Sequence, residues 1–566
     1  MHILKQKRLV HTFFFILILF GALVFHLAFI QLIHGKEYGQ RALDQRTLKV
    51  SLEDTSRGNI LDRQGKIALL GSHQEDRILV FPQIILHKDA VLRTLADILQ
   101  QDPGEIQGYF TGSPRYLPYA LTQEQVSRIR QLKITGLLVE RVNFRYGTSP
   151  LAAHVIGHLG PISDQGELEH LTGLGGKPYK LTDSIGMSGL EYFYERELKA
   201  VEPADQARAH VDVYQNLIAG LGIEVKRHQE TGKRDIVTTL DAEIQQIVEQ
   251  VMDERIQRGA VVVMDARTGD LLAMASRPNF NPADIARSLP GERDTFLDHC
   301  TALYQPGSIF KVVVAAAALE EGLVKPSDTF VCLGDKDPLI HCWHKEGHGL
   351  ITFEEAFAQS CNPAFGSLAL KLGSEKIIQY ARAFGLESQD IIGYPVPRDN
   401  RQNLNLIAQK YSLVNSSIGQ GPVLATPVQM AAMINVIVND GVYIEPRLVK
   451  EIRKENGEPL RYYPLGKSRK VISQETSREL KRLLGLVTSE GVGKEADIKG
   501  YGSAGKTGSA QVGSGTDKVN AWFSGFTPVD QPRYVVSVLV EEGISGGSSA
   551  APVFREIMEK VLPPSR

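Results

Sequence analysis

An uncharged apolar run near the N-terminus limits most strongly how this chain can fold. The run, TFFFILILFGALVFHLAFIQLI, covers Thr12–Ile33 and holds 22 residues without a formal charge. At 1.5 Å per residue, a helix of this length reaches roughly 33 Å, which is enough to cross the hydrocarbon core of a membrane. Lys5, Lys7 and Arg8 precede it, and basic flanks of this kind stay in the cytoplasm.

A cleaved signal peptide is the alternative interpretation of this run. The run is long for a signal peptide, and the following QLIHGKEYG offers no small-x-small cleavage site. No later segment of spanning length is free of charge. We therefore expect a single-pass protein of the cytoplasmic (inner) membrane, with a cytoplasmic tail over residues 1–11, a transmembrane helix over 12–33 and a periplasmic or extracellular remainder.

The composition excludes other classes of protein. The 566 residues carry a formal net charge of −2, so the chain lacks the overall basic charge of a typical nucleic-acid-binding protein. Four cysteines in this length are too few for a disulfide scaffold. The length favours several domains, and we expect a membrane-anchored globular protein that binds no nucleic acid.

Two regions with different patterning follow the apolar run. Residues 34–225 predict a mixed α/β domain with many turns, including a helix over Asp89–Gln101 and a strand followed by a turn over Leu151–Ile162. Residues 226–566 begin with a strand, a helix and then a hairpin over Gly259–Ser276.

Three strand-like segments and a helix, APVFREIMEKVL, end the second region. The segments cover Gly502–Gln511, Asn520–Pro528 and Arg533–Gly543. Two strands early in the region, three late and helices between them predict one five-stranded antiparallel sheet covered by helices. The fold class is therefore α+β, with an N-terminal transmembrane helix and a mixed α/β domain before the sheet domain.

The segment YQPGSIFKVVVAAAALEEG places a serine and a lysine one helical turn apart. Ser308 and Lys311 share a face of the helix that starts after Pro306 and Gly307. A serine hydroxyl needs a base to become a good nucleophile, and a lysine can be that base only if burial lowers its pKa. The apolar run Val312–Leu319 supplies such burial. By itself the pair is ambiguous, because S-x-x-K also occurs by chance on solvated helix faces.

Two further motifs favour catalysis. AQSCNPAFG holds Ser360 and Asn362 before another apolar helix, and GKTGSAQ holds Lys506, Thr507 and Gly508 on a predicted strand. Alone, the first could be a helix cap and the second an edge strand with a protective lysine. The order SxxK, SxN, KTG is the signature of serine-type penicillin-interacting enzymes.

With these motifs the sequence resembles the class B penicillin-binding proteins, the monofunctional D,D-transpeptidases of cell-wall synthesis. RGNILDRQG, TTLDAEIQ, GAVVVMDARTGDLLAMAS, NPADIA and SIGQGPVLATPVQMA also match family landmarks, so the resemblance covers nearly the whole chain. It implies a non-catalytic pedestal domain of the dimerisation type over 34–225 and a transpeptidase domain over 226–566. HCWHKEGHG and KTGSAQ look most like the elongation type, penicillin-binding protein 2.

The resemblance implies a role for each motif residue. Ser308 would attack the penultimate carbonyl of a stem peptide ending in D-Ala-D-Ala while Lys311 accepts its proton. Whether this lysine is the acylation base is disputed within the superfamily. Ser360 would pass the proton to the leaving D-Ala, and Asn362 would hydrogen-bond Lys311 or the substrate amide. An acceptor amine would then resolve the acyl-enzyme and form the cross-link.

The KTG segment would bind the substrate. Lys506 and Thr507 would hold the terminal carboxylate by charge-assisted hydrogen bonds. Gly508 would let a ligand come close to the backbone. The backbone N–H groups of Ser308 and Ser509 would form the oxyanion hole.

The resemblance also implies ligands and partners. Peptidoglycan stem peptides would be the substrates, and β-lactams would mimic them. A SEDS-type glycosyltransferase and other proteins of the elongation complex would be partners. Catalysis would need no cofactor.

A group of cysteine, histidine and aspartate residues indicates a possible structural zinc site beside the second motif. The candidate ligands are Asp328, Cys332, Cys342, His348 and Cys361, with His344 nearby. Three cysteines and a histidine are a plausible zinc set, although the spacing has no CxxC pair. A Cys332–Cys342 disulfide, with Cys361 as a small buried filler, is the alternative.

Two rival functions remain open from the sequence. A D,D-carboxypeptidase or β-lactamase would let water resolve the same acyl-enzyme, but the long non-catalytic region argues against these enzymes. A lactam sensor or binding scaffold would need no catalysis, yet all three motifs are intact.

Overall fold

The computed structural model describes residues 2–53, 55–173, 177–201, 205–218, 220–227, 232–289, 294–394, 396, 401–512 and 518–563. The chain divides into two compact units, each assembled from separate stretches. Unit 1 holds residues 1–55, 74–144 and 202–231, and unit 2 holds residues 56–73, 145–201 and 232–566. Two stretches between residues 34 and 225 therefore pack with the C-terminal region. The single boundary at residue 225 remains a prediction.

A long N-terminal helix begins unit 1. It runs through His2–Phe29, a π-helical turn over Ile30–His34 and Gly35–Gln45. Its stretch Lys7–Gly39 is the one helix in the described residues that is long and apolar enough to cross a membrane. The transmembrane segment predicted over 12–33 lies within that stretch.

Two three-stranded sheets make up most of the rest of unit 1. The first has the strand order Thr47–Ser51, Asp205–His210, Ile223–Arg227, and the second the order Arg115–Tyr116, His73–Val80, Leu137–Phe144. The helices of this part are Lys88–Leu99, Pro103–Gln107 and Gln123–Leu132. They share an apolar core with the second sheet, and the helix predicted over Asp89–Gln101 is confirmed.

The centre of unit 2 is the predicted five-stranded antiparallel sheet. Its strand order is Leu271–Arg277, Gly259–Asp265, Tyr534–Gly543, Val519–Thr527 and Ala504–Gln511, and every neighbouring pair is antiparallel. Two strands thus come from the start of the region and three from its end, as predicted.

Helices cover both faces of this sheet. Successive residues of a strand point to opposite faces, so Val262 packs in the core with the helices Lys311–Glu320 and Pro427–Val438. Val261 and Val263 pack in the opposite core with the helices Ala242–Arg255 and Ala551–Val561. Burial on both faces explains why these strands are continuous apolar runs rather than alternating ones.

The other elements of unit 2 surround these layers. The remaining helices of at least six residues are Gln165–Gly173, Phe353–Ala358, Asn362–Ala383, Ser412–Ser417 and Gln474–Ser489. A four-stranded sheet has the order Pro459–Tyr462, Val449–Lys454, Arg234–Thr238, Ile60–Leu61. Two-stranded pairs join Thr329–Cys332 to Gly349–Thr352, Val442–Ile444 to Ser468–Lys470, and Leu159–Pro161 to Ser184–Gly186.

The prediction of a strand at the start of Leu151–Ile162 is wrong. Residues Ala153–Ile156 form a helical turn, and the strand comes later, at Leu159–Pro161. The backbone N–H of Ala152 donates to Glu249 Oε1 at 2.6 Å, and Nε2 of His154 donates to the Thr295 carbonyl at 2.9 Å. These long-range contacts decide the local conformation, which a local pattern of β-type residues cannot show.

A buried ion network ties the early stretches of unit 2 together. Glu191 is fully buried, and it accepts hydrogen bonds from Arg145 Nε at 2.5 Å and Arg57 Nε at 3.1 Å. Arg57 also donates to Glu195 at 2.7 Å, and the Tyr146 hydroxyl donates to Glu191 at 3.2 Å. Burial alone would raise the pKa of Glu191, but the two arginines hold it below its usual value.

We predict that Glu191→Gln destabilises the protein by about 3–5 kcal/mol, because it removes the charge that buried Arg145 contacts and one of the two carboxylates that buried Arg57 contacts. Urea unfolding of the full-length protein in detergent measures this change. The matched control is Glu458→Gln, which breaks an exposed ion pair with Lys454 and should leave the unfolding midpoint nearly unchanged. Equal midpoints for the two variants would contradict a structural role for the network.

Candidate active site

The Ser308 turn lies directly against the edge strand of the central sheet. Gly307–Phe310 form a 3₁₀ turn, and the helix Lys311–Glu320 follows. Gly307 has φ +56°, and a Cβ there would come within 3.0 Å of the backbone of Ser509. Gly508 is similarly confined, because a Cβ on it would lie 2.5 Å from the Pro306 carbonyl oxygen. The missing side chains therefore let the turn that carries Ser308 pack onto the strand.

Lys311 is fully buried and has a complete set of acceptors. Its Nζ donates to the Ser360 carbonyl at 2.7 Å, to Ser360 Oγ at 3.2 Å and to Asn362 Oδ1 at 2.7 Å. An ammonium group has three donors, so these contacts satisfy it. Burial lowers the pKa of Lys311 to about 8, although the nearby thiols act in the opposite direction. The burial that the apolar run predicted is thus present.

The Ser360–Asn362 segment is shaped to meet this lysine. Ser360 has φ +55°, a conformation that costs energy for a residue other than glycine and is typical of functional sites. Asn362 is the first residue of the helix Asn362–Ala383, and its Nδ2 donates to the His341 carbonyl at 2.9 Å. The helix begins after Cys361 without a side-chain cap, so the capping role considered from the sequence does not apply to Ser360.

Lys506 lies in the interior of the protein although its strand is at the edge of the sheet. The residue is fully buried, and its Nζ donates to the Thr507 carbonyl at 3.4 Å. An edge-protecting lysine would extend into solvent, so that interpretation is wrong. Burial, with a smaller effect of the Lys311 charge, lowers the pKa of Lys506 well below its usual value.

A cleft of about 330 Å³ collects residues from all three motifs. Its walls include Ser308, Ser360, Asn362, Thr507 and Ser509. Both buried lysines lie near this cleft, because Lys311 contacts Ser360 and Asn362, and Lys506 precedes Thr507 and is close enough for the Lys311 charge to lower its pKa.

Several residues that line the cleft were missed by the sequence prediction of site residues. They are Trp343, Ile418, Gln420, Val492, Ile544, Ser545 and Gly547. Three of them gave a usable signal, because Ile418 and Gln420 lie in the SIGQGP landmark and Gly547 lies in GGSSAAPVF. Trp343 follows a predicted zinc ligand in sequence, but nothing local indicates that its ring faces the cleft.

Comparison with protein families fits this geometry. A family model described as the penicillin binding protein transpeptidase domain matches residues 259–559, which is more than half of the chain. A second model, the penicillin-binding protein dimerisation domain, matches residues 53–234. The chain belongs to the class B penicillin-binding proteins. It is of the penicillin-binding protein 2 type and is a serine D-Ala-D-Ala transpeptidase, as the family resemblance implied.

Individual relatives support the assignment to this class. Stage V sporulation protein D of Bacillus subtilis is 30% identical, over 99% of this chain and 86% of its own length. The peptidoglycan D,D-transpeptidase MrdA of Acinetobacter baumannii is 27% identical, over 93% of this chain and 84% of its own. A chain from a solved peptidoglycan synthase complex, in which polymerization and crosslinking are coordinated, is 25% identical, with 97% of each chain covered and a TM-score of 0.71.

This penicillin-binding protein also brings four of the predicted zinc ligands together. The ligand atoms of Cys332, Cys342, His348 and Cys361 all lie within 4.8 Å of one another. Asp328 is not part of this group, and its carboxylate instead accepts from the Lys325 backbone N–H at 2.8 Å. All four cysteines of the chain lie in its described part and are free, so the alternative Cys332–Cys342 disulfide is not formed here.

The donor set fits a tetrahedral zinc ion. Bonds of 2.0–2.3 Å at tetrahedral angles place ligand atoms about 3.3–3.8 Å apart. Nδ1 of His348 lies 3.4 Å from the sulfur of Cys332 and 3.6 Å from that of Cys342. Cys361 lies between Ser360 and Asn362 in sequence, so an ion here would brace the segment that contacts Lys311. Acyl transfer to a serine itself requires no cofactor.

Proposed function

We propose that this penicillin-binding protein cross-links peptidoglycan stem peptides during cell elongation. Ser308 Oγ would form an ester with the penultimate carbonyl carbon of a D-Ala-D-Ala donor while the C–N bond breaks and D-Ala leaves. The amine of a neighbouring stem would then attack the ester, form the new peptide bond and return the proton to Ser308. The observation that carries the proposal is a cleft shared by Ser308, Ser360 and Asn362, with the buried Lys311, three residues after Ser308, hydrogen-bonded to Ser360 and Asn362.

The polar groups of the cleft support distinct roles for the motif residues. With its lowered pKa, Lys311 can be neutral near physiological pH and can accept the Ser308 proton. Ser360 contacts the lysine and would relay the proton to the leaving D-Ala, while Asn362 orients the lysine. The backbone N–H groups of Ser308 and Ser509 would stabilise the oxyanion.

The KTG segment would hold the terminal carboxylate. In the substrate-free protein burial disfavours the charged form of Lys506, and an arriving carboxylate would favour it again. Thr507 lines the cleft and would donate to the same carboxylate, with Gly508 keeping the strand close to the Ser308 turn. A penicillin-type lactam would enter by the same contacts and leave a slowly hydrolysed acyl group on Ser308.

Labelling of the full-length protein with a fluorescent penicillin tests the nucleophile. We predict that Ser308→Ala abolishes labelling and that Lys311→Ala lowers its rate by at least about a hundredfold, since the serine then lacks its base. Ser489→Ala, an exposed serine at the end of the helix Gln474–Ser489, should label normally. Strong label on Ser308→Ala would mean that another residue is the nucleophile.

Product analysis separates the rival reactions. A transpeptidase given donor and acceptor stems yields cross-linked dimer and one D-Ala for each bond formed. Free D-Ala without dimer would favour a D,D-carboxypeptidase. Normal growth of cells whose only copy carries Ser308→Ala would favour a binding scaffold.

We predict that the acylation rate rises with pH and levels off above about pH 8. Only the neutral amine of Lys311 accepts a proton, so the second-order rate constant should fall about tenfold for each pH unit below the pKa. Stopped-flow measurement with a chromogenic penicillin, corrected for uncatalysed hydrolysis, gives the profile. A rate that does not change between about pH 6 and pH 9 would contradict Lys311 as the base.

The membrane topology and domain limits belong to the same proposal. The apolar helix would span the cytoplasmic membrane once, with residues 1–11 in the cytoplasm and the catalytic region in the periplasm or outside the cell. Residues 34–225 would form the pedestal and 226–566 the transpeptidase domain. Because one structural relative belongs to a complex that coordinates polymerization with crosslinking, we propose a SEDS-type glycosyltransferase as partner, with other elongation proteins.

We further propose that Cys332, Cys342, His348 and Cys361 bind a structural zinc ion. Elemental analysis of the purified full-length protein should give about one zinc per chain, because the donor set is complete. Cys342→Ser should lose the metal and lower the thermal stability. Cys300→Ser is the matched control, since Cys300 is also buried but lies outside the group. A metal-free protein with a Cys332–Cys342 bridge in peptide mapping would overturn the site.

A further inference from the structure

A groove in unit 2 lies between the helix Ala242–Arg255 and the early stretches of the unit. It has a volume of about 670 Å³ and shares no lining residue with the Ser308 cleft. The Ala152 N–H donates to Glu249 Oε1 on the helix at 2.6 Å, and the Leu151 N–H donates to the Leu69 carbonyl at 2.8 Å. Hydrogen bonds between its walls therefore hold the groove in shape.

Side-chain amides are the free hydrogen-bonding groups of this groove. Gln246 and Gln250 lie one turn apart on the helix, and both are exposed. Asn279 and Asn281 follow the strand Leu271–Arg277, and each Oδ1 accepts from a nearby backbone N–H at 2.9 Å. Their Nδ2 groups have no acceptor within the described part of the chain. Because an amide can both donate and accept, the groove suits a ligand that does the same.

The charges of the groove are already balanced. Glu249 Oε1 also accepts from Gln245 Nε2 at 2.9 Å, and Asp253 Oδ1 lies 2.7 Å from Nη2 of the buried Arg277. Among the described residues that line the groove there is no basic side chain, so an anion would find no counter-charge. Ile67 adds an apolar surface that is 53% exposed. The lining therefore fits an uncharged ligand with hydroxyl, amide and C–H surfaces, such as a sugar.

The register of the central sheet relates this groove to the catalytic cleft. One row of paired residues crosses the five strands, and its members are Ser509, Ala521, Val540, Gly259 and Arg277. Ser509 lines the cleft, and the Arg277 side chain donates to Asp253 of the groove at 2.8 Å. Neighbouring strands are about 4.8 Å apart, so the four steps of this row cover about 19 Å.

That distance is close to the length of an extended stem peptide. Five residues of extended chain span about 17 Å. A stem whose terminal D-Ala-D-Ala lies at Ser308 can therefore reach from the cleft to the far edge of the sheet. The glycan that carries the stem is a chain of N-acetylated sugars, whose hydroxyl and acetamido groups match the donors and acceptors of the groove.

We propose that this groove binds the glycan strand that carries the donor stem. The proposal rests on the cross-linking function proposed above. A strand held in the groove keeps its stem within reach of Ser308, which raises the effective concentration of the stem at the cleft. The contact would lower the KM for stems on a strand and would leave the chemistry at Ser308 unchanged.

Titration with peptide-free glycan strands tests the groove directly. Strands freed of their stems by an amidase are titrated into the full-length protein in detergent, and calorimetry gives the Kd. We expect the double variant Gln246→Ala/Gln250→Ala to raise the Kd about tenfold, because it removes two side chains that hydrogen-bond the sugars. The matched control is Gln257→Ala, since Gln257 is exposed just beyond the helix and outside the groove, and it should bind normally.

Two results of the titration would overturn the proposal. One is an equal Kd for the double variant and the wild-type protein. The other is a loss of strand binding when the wild-type protein has been acylated with a penicillin, because the strands would then occupy the Ser308 cleft. Unchanged binding by the acylated protein is the expected result.

Cross-linking assays distinguish this proposal from the proposed function. On stems attached to glycan strands, the double variant should have a severalfold higher KM and an unchanged kcat, whereas free stem peptides and penicillin labelling should give wild-type rates. An unchanged KM on strands, or an equal loss of activity on free stems, would overturn the glycan contact. Wild-type protein that binds strands through the two glutamines but forms no dimer from either substrate would overturn the cross-linking function and leave the binding site intact.

Discussion

A buried ammonium group is the interaction on which the active centre depends. Moving an ion of this size out of water costs several kcal/mol even in a real protein, and Lys311 lies in an apolar core with no exposed surface. Three oxygen acceptors from Ser360 and Asn362 offset that cost. Because these acceptors are about fifty positions further along the chain, the lysine can be buried only when the two helices have packed correctly. The folding of the domain and the assembly of its polar cluster are thus one event.

The location of Ser308 follows from that constraint. The serine lies one turn before the lysine, so a fixed Lys311 fixes the direction of the 3₁₀ turn that carries it. Close backbone packing against the edge strand, made possible by Gly307 and Gly508, supplies the other side of the cleft. Lys506 on that strand is buried, and burial lowers the pKa of its ammonium group. The Lys311 charge adds to this effect.

The sequence predicts the layers of unit 2 better than it predicts loops. The hairpin Gly259–Ser276 and the late strand Arg533–Gly543 are recognisable because continuous apolar runs of this length fit strands buried on both faces. The three motifs indicated the site because their order, not any one spacing, is specific. Leu151–Ile162 was misassigned at its start, since contacts to Glu249 and Thr295 decide its shape.

Zinc ligands and cleft-lining residues are also hard to predict from local sequence, because the tertiary fold decides which of them meet. Asp328 is close to the zinc ligands in sequence, but in the fold it lies outside their group and accepts a hydrogen bond from the backbone of Lys325. Trp343 and Ile544 reach the cleft from loops, whose paths depend on the completed fold. Side chains that meet from distant loops leave no periodic pattern, so only family landmarks such as SIGQGP could have indicated any of them.

The interleaved path of the chain has a consequence for how this protein can be divided. The backbone passes from one compact unit to the other five times, near residues 55, 73, 144, 201 and 231. Buried Arg57 and Arg145 share the carboxylate of Glu191, which lies 134 and 46 residues further along the chain. A catalytic fragment that began after residue 231 would lack the early stretches of unit 2, residues 56–73 and 145–201. A chimera joined at a single position would combine early stretches from one protein with the rest of unit 2 from another. To exchange a whole compact unit between relatives, a chimera must therefore be joined at several positions of the chain at once.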